Sequence, residues 1–80
     1  MRSWRRLHGA ELIAQVEPIG GFGTWRVSVW HTENPDDATR HPRDFELLTE
    51  AQAAADALLT QTFKHHCFAG HCGHWLARAG

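Results

Sequence analysis

Thr49–Trp75 reads TEAQAAADALLTQTFKHHCFAGHCGHW, and the fold turns on how this stretch divides. Its first two thirds carry the strongest helical signal in the chain. Thr49 with Gln52 three residues on has the form of a capping box, and Glu50 suits the positive end of a helix dipole. Ala51, Ala55, Leu58, Leu59, Thr62 and Phe63 recur at spacings of three and four, which lines one face toward a sheet. The same spacing carried past Phe63 reaches His66 and Cys67, with Gly70 as the expected C-terminal cap.

Working outward, Thr24–His31 (TWRVSVWH) is the clearest strand. Trp25, Val27 and Val29 alternate with Arg26, Ser28 and Trp30, a mixture suited to a pleated, half-buried surface. The first set is expected under the helix. Ala10–Pro18 forms a second strand, with Leu12, Ala14 and Val16 inward and Ile13 outward, ended by Pro18. Gly20, Gly21 and Gly23 supply a hairpin loop between the two. Residues 32–43 are polar and turn-rich, and Asp44–Leu48 (DFELL) reads as a short third strand with Phe45 and Leu47 inward. The expected fold is therefore α+β: a three-stranded antiparallel β-meander followed by one helix on one face (βββα). Residues 1–9 make a flexible basic arm, 10–64 the domain, and 65–80 a His/Cys-rich tail.

A chain of 80 residues is near the lower limit for one unaided core, since it buries only about 60% of the surface its unfolded form exposes. A metal, a disulfide or a partner would relieve that pressure. Net charge is −1 with neutral histidines, which argues against nucleic acid as the main partner. No apolar run approaches the ~18 residues of a membrane span, and no secretory signal follows Met1. A cytoplasmic protein is expected, with its thiols reduced.

Trp25-x-Val27-x-Val29, then Phe45, then Thr49-Glu50-Ala51 and the Ala-rich helix to Leu58 resemble the sheet-plus-helix N-terminal modules of phage-type tyrosine integrases. The pattern is similar, too, to short bacterial proteins of unknown function with the same layout. The likeness covers residues 22–60 and is one of core positions. What it implies is the fold. Those modules bind DNA through basic side chains on the open sheet face, where this register offers Arg26 as the one clear cation, near Glu11, Glu17 and Glu46.

The chemistry lies at residues 65–74, which hold both cysteines and four of the seven histidines. Imidazole and thiolate are preferred zinc donors, which makes His66, Cys67, His71, Cys72 and His74 candidate ligands for a Zn²⁺ ion. The spacings match no familiar finger, knuckle or ribbon, and a further ligand would have to come from distant His8, His31 or His41. Two other readings stand beside metal binding. Cys67 and Cys72 would close a disulfide across Gly70, or Cys67 is a small buried core residue and the histidines are surface.

No carboxylate pair or nucleotide-binding loop is present, so catalysis is not expected. The leading expectation is a non-enzymatic binding or interaction module, homodimeric through the open sheet face, where Trp30 and Ile13 stand beside Arg26. Zinc binding through the C-terminal cluster is the first alternative. Nucleic-acid binding through the arm cations Arg2, Arg5 and Arg6 is the second.

Overall fold

A computed structural model describes residues 2–20, 23–65 and 72–78. Its elements are β1 (Ser3–His8), β2 (Leu12–Ile19), β3 (Thr24–His31), β4 (Thr39–Arg40), α1 (Leu48–Phe63) and β5 (Leu76–Arg78). The strands form one antiparallel sheet in the order β4-β3-β2-β1-β5. The α+β class and the helix on one face stand as expected. The sheet is larger than a three-stranded meander.

The strand alternation holds in register. Ala14 faces Val29 and Val16 faces Val27 across the β2–β3 pair. These four, with Ala51, Ala55 and Leu59 of the helix, are completely buried and make the core. Alanines at 51 and 55 let the first turns of α1 lie close to the valines. Leu59 then fills the wider gap, with Leu58 and Phe63 partly buried at its margin. Four large buried side chains contribute only about 1.5–3 kcal/mol each, so the core is thin.

Several local expectations are corrected. Residues 3–8 are a strand rather than a flexible arm, because both faces find partners. Trp4, Arg6 and His8 point with the core, and Arg5 and Leu7 point outward. The β1–β2 hairpin closes through Gly9 at φ 61°, a left-handed turn that glycine adopts without strain. Pro18 does not end β2, which pairs as far as Ile19. Trp25 gives both its backbone hydrogen bonds to Phe45, at 2.6 and 2.9 Å, so the missing N–H of Pro18 opposite it breaks no bond between β2 and β3.

The third meander strand is Thr39–Arg40, and the expected strand at Asp44–Leu48 reduces to the single bridge Trp25–Phe45. Pro42 interrupts the ladder there, and Leu47 is 56% exposed instead of inward. The helix starts one residue early, with Leu47 as a cap that makes no side-chain bond, so the Thr49–Gln52 box does not form. Thr62 is exposed. The helix stops at Phe63, and Lys64 takes the left-handed cap conformation at φ 54°. Gly70, the expected cap, lies outside the described residues. Past Gly73 the tail docks: Trp75 packs against the core and Leu76–Arg78 add β5 to the outer edge of β1. No helix among the described residues is long and apolar enough to cross a membrane.

Candidate metal centre

β1 has six residues, and strand alternation sends its last one, His8, inward. His8 pairs with Leu12 in the hairpin and is 1% exposed. A buried imidazole needs partners, and the helix supplies one. Asp56 follows the buried Ala55 and reaches the β1 side of the helix, where Oδ1 lies 2.9 Å from His8 Nε2. The other oxygen of Asp56 accepts from Arg6 at 2.8 Å. Arg6 Nε in turn donates to the carbonyl of Gly73 at 2.8 Å. One carboxylate thus bridges two inward residues of β1, and one of those holds the C-terminal segment.

That segment is also fastened by backbone. Gly73 N–H donates to the Leu7 carbonyl at 2.9 Å, and His8 and Cys72 form an antiparallel bridge. Pairing with β1 therefore sets Cys72 beside His8. His65 arrives from the other direction, because the left-handed Lys64 turns the chain back as soon as the helix ends. Its Cε1 lies 3.6 Å from where a Cβ at position 9 would stand, so Gly9 leaves room for the ring. His65 Nε2 is 3.4 Å from Cys72 Sγ, and its ring meets the His8 ring edge-on with centroids 5.8 Å apart.

The ligating atoms of His8, His65 and Cys72 all lie within 4.8 Å of one another. On a tetrahedral zinc with Zn–N near 2.05 Å and Zn–S near 2.3 Å, a nitrogen and a sulfur ligand sit about 3.5 Å apart. The observed 3.4 Å separation fits that geometry.

Burial lowers the pKa of His8 from its ordinary 6.5, outweighing the hydrogen bond and charge of Asp56, while Arg6 and His65 push the same way as burial. His8 is accordingly neutral at neutral pH. Since an ionised carboxylate only accepts, Nε2–H donates to Asp56 and Nδ1 carries the lone pair. A carboxylate that orients a ligand histidine through its other nitrogen is the usual second layer of a zinc site.

Two measurements follow from this network. Asp56→Ala removes the carboxylate that bonds both His8 Nε2 and Arg6, and is expected to cost about 1–3 kcal/mol in urea unfolding. Acid should act through His8. Its folded pKa lies below its unfolded one, so stability is fully present above about pH 6.5 and is lost as pH falls toward the folded value. Metal-free protein should show its urea midpoint dropping across that window, and a midpoint flat from neutral pH to pH 5 would contradict the assignment.

Of the residues singled out in the sequence, Cys72 is in the cluster. His74 is exposed and outside it. His66, Cys67 and His71 lie outside the described residues, as does the Cys67–Cys72 pairing. Among the three distant histidines the cluster takes His8. His31 is 3.2 Å from Glu11, and His41 packs edge-on against Phe45. His65 lies in the histidine-rich stretch but is not among its candidate ligands, Asp56 carries no signal of its own in the sequence, and the early helix stop at Lys64 is what makes His65 available.

The interaction residues Trp30, Ile13 and Arg26 share the outer face as expected. Trp30 is nevertheless 9% exposed within one chain, with the Arg5 guanidinium 5.1 Å from its ring centroid. Arg5, two strands away on β1, thus covers part of the ring within one chain. Arg5 and Arg6 point to opposite faces of the sheet, so the arm cations do not form one basic surface. No protein-family model, no curated protein and no solved structure matches this chain.

Proposed function

We propose that this protein is a small, non-enzymatic binding module stapled by one structural Zn²⁺ ion. The observation that supports this is the convergence of His8, His65 and Cys72, one from each of three separate segments, around a point beside the buried His8–Asp56 pair. A nitrogen–nitrogen–sulfur set favours zinc over the harder cations. The described residues supply three ligands, and the sequence singles out His66, Cys67 and His71 as further candidates.

The role is structural because of where the ion would act. It would join the end of β1, the end of α1 and the start of the tail, giving a thin core the cross-link that chains of this size commonly need. Catalytic zinc keeps an open position facing substrate. Here His8 is buried, and the two clefts described on the molecule are lined by outward-facing residues on the opposite side of the sheet. Metal analysis of protein purified without chelator tests the reading. About one zinc per chain is expected, and a zinc content near zero with no thermal stabilisation on adding Zn²⁺ would overturn it.

Self-association through the outer face is a second reading. Leu7 and Leu76 are 45% and 66% exposed there, flanking the same cleft as Ile13. Sedimentation equilibrium showing only monomer at high micromolar concentration would remove it.

A further inference from the structure

The outer face of the sheet carries more positive charge than a three-strand register gives it. Arg5, Gln15, Ser28 and Arg40 stand side by side across β1, β2, β3 and β4 as directly paired neighbours. Arg26 lies two residues along β3 from Ser28, opposite Glu17. Adding β1 and β4 to the sheet is what brings Arg5 and Arg40 beside Arg26. The three arginines line a cleft of about 390 Å³, which Pro35 and Ala38 of the β3–β4 connection give a wall that a flat sheet lacks.

The arginines are set up to receive an anion. Arg5 is held in place by its hydrogen bond to Gln15 and by stacking over Trp30, so little of its freedom remains to be lost on binding. Arg26 Nε is buried and has no hydrogen-bond partner among the described residues. Burial of that nitrogen holds the guanidinium in place at the cleft, which the Arg26 side chain lines. Arg40 is exposed at the rim, where it can close over a ligand. Glu17 is the one carboxylate in the lining. Three guanidiniums against one carboxylate leave two positive charges.

From this we infer that the cleft binds the phosphate group of a small phosphate monoester, through Arg5, Arg26 and Arg40 with the Ser28 hydroxyl between them. The charge selects the class. A phosphate monoester carries close to two negative charges at neutral pH and matches the cleft, whereas a carboxylate or a phosphodiester carries one. The planar forks of arginine suit phosphate oxygens in pairs. The volume selects the size, because the cleft falls in the range of small-molecule sites and a bare phosphate would leave much of it unfilled. The site lies on the opposite face from His8 and does not depend on the metal.

Calorimetric titration of the purified protein at constant ionic strength tests this, with phenyl phosphate and inorganic phosphate as probes. Saturable one-to-one binding is expected, tighter for phenyl phosphate, with dimethyl phosphate and acetate at least about tenfold weaker. Arg26→Gln should weaken phenyl phosphate at least about tenfold. Because a half-buried position can disturb folding, Arg40→Ala at the exposed rim provides a second variant that should also weaken binding. No saturable binding by the wild type, or binding that neither variant changes, would overturn the proposal. So would steeply salt-dependent capture of a single-stranded oligonucleotide that phenyl phosphate fails to displace, which would instead mark a nucleic-acid surface.

Discussion

Removing the metal with a strong chelator is expected to lower the melting temperature by well over ~10 °C. A ligand present at a thousand times its dissociation constant stabilises the folded state by about 4 kcal/mol. In a domain of this size each kcal/mol moves the midpoint by roughly 4–8 °C. Cys72→Ser should leave the protein at the metal-free midpoint whether or not zinc is added, because a neutral hydroxyl is a poor substitute for a thiolate. The effect should return on adding Zn²⁺ to chelated wild type and not on adding Mg²⁺, which prefers oxygen ligands. A chelator shift within scatter would mean that the three side chains meet only to satisfy one another.

The second large effect is expected at Leu59. It is the largest fully buried side chain among the described residues, set between the alanine-lined end of α1 and the valines of β2 and β3. Truncating a buried leucine to alanine costs about 2–5 kcal/mol through lost transfer energy and the cavity left behind. An 80-residue chain has only about 4–12 kcal/mol in total, so Leu59→Ala should remove a large fraction of its stability. Urea denaturation reads the loss directly. Leu58→Ala, at a partly buried position, should cost clearly less. Equal losses at the two positions would mean that the helix turns a different face to the sheet.

The parts of the fold legible in the sequence were those whose signal is local. Val27 and Val29 alternate with polar neighbours, and Ala51, Ala55 and Leu59 repeat at helical spacing, so the β2–β3–α1 core follows from short-range pattern alone. β1 was hidden because Arg5 and Arg6 put a cation on each face, which locally resembles a solvated arm. Their partners are remote: Arg6 pairs with Asp56, 50 residues away, and Arg5 stacks on Trp30. The helix terminus was misplaced for a related reason. Nothing in the composition around Lys64 marks a left-handed cap, and glycine at 70 was the stronger cue.

The site divides in the same way. The donor types of the cluster were readable in the density of histidine and cysteine between residues 65 and 74. Ligand membership was not, because His8 and Cys72 are 64 residues apart in the chain and meet only through the pairing of β1 with the segment at Cys72. Spacing rules for zinc motifs describe ligands that share a local turn, and this cluster draws on three segments. The basic cleft shows the same dependence on long-range pairing. Arg40 joins it only because β4 forms at Thr39–Arg40 and not at Asp44–Leu48.

The central claim, that one zinc joins β1 to the end of the helix and the tail, is tested most directly on unmodified protein. Long-range ¹⁵N–¹H spectra of the histidine rings, recorded as Zn²⁺ is titrated into chelated protein, report each imidazole separately. At about one equivalent, the ring nitrogens of His8 and His65 should move together to metal-bound shifts. His31, His41 and His74 should stay where they are. A His8 ring that does not respond, or a shift spread evenly over all the histidines, would contradict the account.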